Sequence, residues 1–260
     1  MPRLFRPLFA RRLLPMLSVV LAAAPFAAAA TVATSLHDAR QLLVVTTPSW
    51  DTPSGRLQAY QRSERGWEPQ GAAFTVALGR DGSAWGIGLH PAQAEGPQKH
   101  EGDGRSPAGV FTLGEAFGYA AHIDSRMPYR PMLESNYCMD VPGSPLYNRI
   151  VDAGVVGSEA VEGSSEPMRL DLHNDGDRRY REGFVIQHNP RAQPGQGSCI
   201  FAHLWRQAGE ATAGCTAMQP EHMGTLLAWL DPAAHPLFVL LPEAEYARLR
   251  ENWGLPPLQP

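Results

Sequence analysis

Short apolar runs separated by turn residues dominate the chain, and this pattern indicates β-strands. Residues 42–47 are continuously apolar and β-branched, whereas Phe74, Val76 and Leu78 alternate with other residues. The same two patterns predict strands over 42–47, 74–78, 85–89, 109–113, 183–188, 198–205 and 237–241. The intervening loops are rich in glycine and proline, and none has the length or composition of an interdomain linker.

Only two segments have helical periodicity. Residues 220–231 place Met223, Leu226 and Leu227 on one face, after Pro220 in the first turn and before Pro232, which ends the helix. Residues 243–252 form the second predicted helix. The pattern therefore predicts one mostly β domain, built as two sheets or a sandwich that is capped by one or two helices.

The first thirty residues have the pattern of a secretory signal peptide. Four arginines precede an apolar stretch over residues 13–26, and four alanines follow at 27–30. An uncleaved anchor is disfavoured because the stretch is short and holds Pro15 and Pro25. We therefore expect cleavage after Ala30, export to the periplasm or cell envelope, and a catalytic or binding domain over residues 31–260 with no membrane anchor.

Composition and charge exclude several classes of protein. The chain is 43% hydrophobic and 18% charged, which is typical of a folded domain. Its net charge is −4, and removing residues 1–30 leaves 18 basic against 26 acidic residues, a net of −8. This excludes a strongly basic nucleic-acid binder. The nine histidines lack HExxH spacing and paired CxxC motifs, so we expect neither a metal nor a cofactor.

One cysteine and one histidine form a candidate catalytic pair. In residues 197–205 the strand alternation places His203 opposite the aliphatic Ile200, Ala202 and Leu204. Cys215 follows Gly214 in a predicted sharp turn, and a hairpin-like return would bring it to His203. A nearby imidazole raises the thiolate fraction and transfers the proton. Spacing alone favours a structural cysteine and an unrelated histidine, since single residues of both types are common.

Three motifs resemble a known family. They are Thr212–Met218 (TAGCTAM) with the upstream Phe201-Ala-His203, residues 101–111 (EGDGRSPAGVF) and residues 140–148 (DVPGSPLYN). In this order they resemble the YkuD-type L,D-transpeptidase catalytic domain, in the branch with TAGC in place of SHGC. The resemblance covers about residues 84–242.

The resemblance implies a mostly β, YkuD-like sandwich of mixed sheets that acts on peptidoglycan stem peptides. By this resemblance Cys215 attacks the carbonyl of the third stem residue, D-Ala leaves, and the thioester passes to an amine, giving a 3–3 cross-link. His203 is the general base and acid, and the backbone around Gly214 and Cys215 forms the oxyanion hole. We expect the protein to act as a monomer.

Two departures from the family pattern keep alternatives open. Ala213 stands where many members carry histidine, and Ala217 stands where many carry arginine. Loss of the arginine removes a candidate ligand for a substrate carboxylate. A hydrolase on the same site, either an L,D-carboxypeptidase or a stem-peptide amidase, is the first alternative. A non-catalytic wall-binding protein is the second.

Other polar residues are weaker candidates for substrate contact. His188 and Asn189 end a predicted strand, Tyr147 and Asn148 lie in a polar turn, and Thr212 precedes the cysteine motif. Each is also explained by an ordinary structural hydrogen bond.

The cysteine count leaves a possible disulfide. With Cys215 assigned to catalysis, Cys138 and Cys199 form a possible pair in an oxidising compartment. Pairing of Cys199 with Cys215 is the rival, and it would inactivate the enzyme. The sequence alone does not give the separations that decide between them.

Overall fold

The structure is a computed structural model that describes residue 1 and residues 35–258. The predicted signal peptide lies outside the described residues except for its first residue, so its cleavage after Ala30 stays a prediction. None of the described helices combines the length and the apolar composition needed to cross a bilayer.

Strands make up most of the regular structure in residues 35–258. They are β1 (Gln41–Thr47), β2 (Ser54–Ser63), β3 (Gly66–Ala77), β4 (Ser83–Trp85), β5 (Ser106–Gly118), β6 (Tyr129–Pro131), β7 (Asn136–Cys138), β8 (Ile150–Asp152), β9 (Glu166–Pro167), β10 (Glu182–Ile186), β11 (Phe201–Leu204), β12 (Thr216–Met218) and β13 (Leu237–Pro242). The α-helices are α1 (Ala153–Val156), α2 (Leu170–His173), α3 (Pro220–Trp229) and α4 (Glu243–Trp253), with 3-10 turns at Ser158–Val161 and Pro232–Ala234.

The main sheet has ten strands and bends around its own core. Its order is β10-β11-β12-β3-β2-β1-β13-β5-β4, with β6 beside β5. Strand β5 is long enough to pair twice, through residues 109–112 with β13 and through residues 113–118 with β10. Parallel pairs, such as β1 with β13, mix with antiparallel ones. The predicted mostly β fold with mixed sheets is confirmed.

A second, small sheet lies beside the main one. Its order is β8-β7-β9, and both pairings are antiparallel. The short helices α1 and α2 follow its strands β8 and β9 along the chain, and the periodicity did not predict them. This small sheet places Glu166 and Cys138 side by side.

The two predicted helices are present and cap the main sheet. Helix α3 packs on β10 and β11, and α4 packs on β13 and β1. Met223, Leu226 and Leu227 are the buried face of α3, as the periodicity predicts. The helix ends at Trp229, two residues before the predicted end, because Leu230 turns to extended backbone ahead of Asp231 and Pro232. Helix α4 is one residue longer than predicted. It ends at Trp253 and is capped by Gly254, whose φ is 68°.

Three predicted strands are shorter in the structure, and the one predicted over 183–188 ends at Ile186. Strand β4 ends at Trp85, so the predicted continuation through Ile87 and Leu89 is wrong. The amide of Ile87 donates to Nδ1 of His188 at 3.1 Å instead of to a neighbouring strand. Strand β11 begins only at Phe201, because Cys199 has a φ of 55° that interrupts the extended backbone.

Candidate active site

Cys215 lies in the bend that leads into β12, and His203 is the third residue of β11. The two strands run parallel, with His203 beside Ala217. The hairpin-like return expected from the sequence is therefore wrong, because a parallel partner requires a crossover. The two side chains nevertheless line one pocket of about 320 Å³.

Two hydroxyl groups hold the bend that carries the thiol. The carbonyl oxygen of Cys215 accepts from Oγ of Ser106 at 2.9 Å and from Oγ1 of Thr212 at 2.7 Å. Ser106 is fully buried and also accepts from the amide of Gly79 at 2.9 Å. The loop at residues 102–107, with its glycines and proline, thus supports the nucleophile through Ser106.

The thiol of Cys215 is buried between two backbone groups. The amide of Phe201 donates to Sγ at 3.3 Å, and the thiol donates to the carbonyl of Cys199 at 3.5 Å. Burial, and after it the nearby charge of Glu166, raise the pKa of Cys215 to about 12. Cys215 therefore rests as a neutral thiol.

His203 is a neutral imidazole with one nitrogen already engaged. Its Nδ1 lies 2.7 Å from the carbonyl oxygen of Leu204, so the proton is on Nδ1 and Nε2 carries the lone pair. Burial lowers the pKa of His203 to about 4. No hydrogen bond joins it to Cys215 within residues 35–258. Both groups therefore rest uncharged, and not as a thiolate and imidazolium pair.

The amide of Gly214, which the sequence predicts as an oxyanion-hole donor, has a partner within the bend. It donates to Oγ1 of Thr212 at 3.0 Å and is therefore occupied. The amides of Ala213 and Cys215 donate no hydrogen bond to any residue that the structure describes. These two amides are the available donors of the bend, and Thr212 shapes the turn that exposes them.

The pocket wall opposite the thiol comes from residues that sequence reasoning missed. Glu166 on β9, Tyr180 ahead of β10, and Arg179 line it. The Tyr180 hydroxyl donates to Oε1 of Glu166 in a short hydrogen bond, and its ring lies edge-on to His203 with centroids 5.2 Å apart. Burial raises the pKa of Glu166 to about 7 and that of Tyr180 well above its usual value.

No local signal marks these residues, because neither Glu166 nor Tyr180 lies in a recognisable motif. They lie 49 and 35 positions before Cys215, on an element of the second sheet and on a loop. Glu166 reaches the pocket on β9 of the small sheet, and Tyr180 reaches it on the loop ahead of β10.

His188 and Asn189 are buried scaffold residues in this structure. Nδ1 of His188 accepts from the Ile87 amide, and Nε2 lies 2.8 Å from the carbonyl oxygen of Gln196. The Asn189 side chain closes the following loop through Gln193 and the carbonyl of Gly197. Because these polar atoms are used internally, the hydrogen bonds favour a supporting role in place of the predicted substrate contact.

Tyr147 and Asn148 are also used internally. The Asn148 side chain donates to the carbonyls of His188 and Asn189 and accepts from the amide of Cys199, each at 2.9 Å. The Tyr147 hydroxyl donates to Glu101 in a short hydrogen bond. Among the predicted substrate-binding residues, only Thr212 lines the pocket with Cys215 and His203.

Cys138 and Cys199 form a disulfide, and Cys215 is a free thiol. The bridge joins β7 of the small sheet to the segment that precedes β11, with Cα atoms 5.9 Å apart. Cys199 is the residue whose carbonyl accepts from the Cys215 thiol. The disulfide therefore ties both walls of the pocket together.

Reduction of this disulfide should lower the free energy of unfolding by about 4 kcal/mol, because it closes a loop with a separation of 61 residues. Urea unfolding with and without reductant measures the difference, and Cys215→Ala should show the same loss. Thiol titration of the denatured, unreduced chain should find one thiol. Three thiols per chain would contradict the bridge.

Lowering the pH from 7 towards 4 should lower the free energy of unfolding. Burial holds the pKa of His90, His188 and His203 at about 4, so between pH 6.5 and 4 the unfolded chain binds more protons and stability falls as pH falls. Glu166, whose pKa is raised to about 7, opposes this trend. The net loss from pH 7 to 5 should be about 3 kcal/mol.

Thermal or urea unfolding at pH 5, 6 and 7 measures this loss. Glu166→Gln should enlarge it to about 5 kcal/mol, because the opposing group no longer titrates. Equal stability at pH 5 and 7 would contradict the neutral burial of the three imidazoles.

Groups of three or more histidine, cysteine, aspartate or glutamate side chains arranged to hold a metal ion do not occur in the part of the chain that the structure describes.

Comparisons with known proteins found a match to one protein family and to a solved structure. The family model described as YkuD, L,D-transpeptidase catalytic domain, matches residues 49–239. No curated protein matches. A crystal structure of the helical cell shape determining protein Pgp2 from Campylobacter jejuni is 14% identical, with a TM-score of 0.33, over 82% of this chain and 54% of that chain. The chain thus spans about half the length of that protein.

Proposed function

On the premise that the chain belongs to the YkuD family of L,D-transpeptidase catalytic domains, we propose that it is a peptidoglycan L,D-transpeptidase with Cys215 as nucleophile. One observation carries the proposal. A buried thiol and a neutral imidazole line the same pocket, beside two backbone amides that have no acceptor among the described residues. This is the set of groups that acyl transfer to a thiol requires.

In the first half-reaction Nε2 of His203 takes the thiol proton as Sγ of Cys215 attacks the carbonyl of the third stem residue. The oxyanion accepts from the amides of Cys215 and Ala213. The C–N bond to the terminal D-Ala then breaks, and the imidazolium returns its proton to the leaving amine. The products are a thioester on Cys215, free D-Ala and neutral His203.

In the second half-reaction an amine of another stem peptide attacks the thioester. His203 accepts the proton that the amine loses, an amide bond forms, and the C–S bond breaks. The proton then returns to the sulfur, which restores the thiol. The product is a 3–3 cross-link.

A hydrolase on the same site is the second candidate, and the size of the pocket favours it. A volume of about 320 Å³ lies at the small end of ligand pockets. A single stem peptide occupies most of such a space, which favours water over a second peptide in the resolving step. The product is then a tripeptide stem without a cross-link.

Export and domain extent belong to the same proposal. Residues 1–30 carry the predicted signal peptide, and peptidoglycan lies outside the cytoplasmic membrane, so the periplasm or cell envelope is the compartment in which this chemistry applies. We propose that residues 31–260 form a single catalytic domain that acts as a monomer on stem peptides.

Purified sacculi test the proposal. After incubation with the protein of residues 31–260, mass analysis of muropeptides should find 3–3 dimers. Tripeptides without dimers would support the hydrolase instead. If neither product appears and Cys215→Ala binds sacculi as the wild type does, the catalytic proposal fails and a wall-binding protein is indicated.

A further inference from the structure

The pocket contains a carboxylate that the reaction above does not use. Glu166 lines this pocket together with Tyr180, Cys215, His203 and Thr212. Its Oε1 accepts a hydrogen bond from the Tyr180 hydroxyl. Its Oε2 has neither a hydrogen bond nor an ion pair with any residue from 35 to 258. Glu166 is half-buried, so Oε2 is an accessible acceptor in the pocket that no side chain of the described residues uses.

The surrounding charges do not balance this carboxylate. Arg179 is a cation in the pocket lining, but its Nε and a terminal nitrogen both donate to Oδ2 of Asp177, at 2.8 and 2.7 Å. His173 lies at the exposed rim, and its Nε2 contacts the carbonyl of Glu134 at 2.8 Å. Glu166, when ionised, therefore has no cation paired with it among residues 35–258.

This negative charge works against the nucleophile. The carboxylate opposes ionisation of Cys215, because two negative charges in one small pocket repel. A cation bound at Glu166 would remove that repulsion at the moment when the sulfur must become negative. Occupation of Glu166 by a positively charged group is thus linked to the reactivity of Cys215.

From this arrangement we propose that Glu166 is a specificity-determining residue that binds a primary ammonium group on the peptide that acylates Cys215. The proposal rests on the proposed function. The ammonium belongs to the acyl donor and not to the resolving amine, because an attacking amine must be neutral, whereas a carboxylate holds it in its protonated, unreactive form. The apolar side chains of Pro167 and Leu170 beside Glu166 suit the carbon chain of such a residue.

Two synthetic tetrapeptides test the assignment. Both have the stem sequence ending in D-Ala, and the third residue is lysine in one and Nε-acetyllysine in the other. With the protein of residues 31–260, acylation of Cys215 is followed by intact-protein mass spectrometry and release of D-Ala. The wild type should be acylated by the lysine peptide about 10- to 100-fold faster, the size expected of a charge-assisted hydrogen bond in a buried site.

Glu166→Gln should remove the preference while keeping an acceptor for the Tyr180 hydroxyl. The acetylated peptide should acylate Cys215 of this variant at least as fast as it acylates the wild type, because the charge that opposes ionisation of the thiol is gone. Glu162→Gln is the matched control, because it removes an exposed carboxylate on the preceding segment. This variant should keep the preference for the lysine peptide.

The outcomes separate the two proposals. Equal acylation of the wild type by both peptides would overturn the Glu166 assignment and leave the acyl-transfer function standing. Acylation by neither peptide would overturn the proposed function and this inference with it. The wild-type comparison does not depend on whether Glu166→Gln folds.

Discussion

Replacing Cys215 by alanine should abolish acyl-enzyme formation and lower D-Ala release from a tetrapeptide by at least about 10³-fold. The reason is that Cys215 is the free thiol that lines the pocket among the described residues. The Cys215 carbonyl, held by Ser106 and Thr212, stays in place, so the bend should survive the substitution. Intact-protein mass spectrometry after incubation with a carbapenem or the lysine tetrapeptide measures the loss.

Ser106→Ala is the matched variant for this experiment. It keeps the thiol but removes one of the two hydroxyls that hold the bend, and it should lower the acylation rate by about tenfold, the equivalent of one hydrogen bond. Both proteins should unfold cooperatively. Undiminished D-Ala release by Cys215→Ala would remove the nucleophile assignment.

Replacing His203 by glutamine should lower the rate of thioester formation by about 10²- to 10⁴-fold. Glutamine fills similar space and can donate to the carbonyl of Leu204, but it cannot accept the thiol proton. Because the thiol pKa is raised to about 12, almost no thiolate is present at neutral pH, and attack depends on a base. Single-turnover acylation with the lysine tetrapeptide measures the effect.

His173→Gln is the control, since it changes an imidazole at the exposed rim of the same pocket. It should leave the rate within about twofold, as expected for a surface substitution. The pH profile adds a second readout. Because the pKa of His203 is lowered to about 4, the imidazole stays a base down to that pH. The acylation rate should therefore fall on the acid side only near pH 4. A limb near 6.5 that disappears in His203→Gln would contradict a buried, neutral imidazole.

The sequence and the structure agree best where the signal is local. The face carrying Ile200, Ala202 and Leu204 belongs to the main core, as the alternation predicts, and Phe201 on the other face packs in a smaller buried cluster. The same holds for helices α3 and α4, whose buried positions follow directly from periodicity. A residue's choice of face depends on its near neighbours, and the sequence contains that information.

They differ where distant segments meet. Glu166 and Tyr180 lie in no motif, and strand β9 and the loop ahead of β10 bring them to the pocket. His188 has the position of a strand-end site residue, but Ile87 and Gln196 use both of its nitrogens.

By itself the sequence determined a mostly β chain with two capping helices, a cysteine–histidine motif at Cys215 and His203, and an odd number of thiols. Only the tertiary structure decided that β11 and β12 run parallel, which thiol is free, and which amides and carboxylate face the nucleophile. The physical reason is the distance along the chain over which each interaction acts. Periodicity and turn chemistry act over a few residues, whereas strand pairing, hydrogen-bond satisfaction and burial depend on segments tens of residues apart.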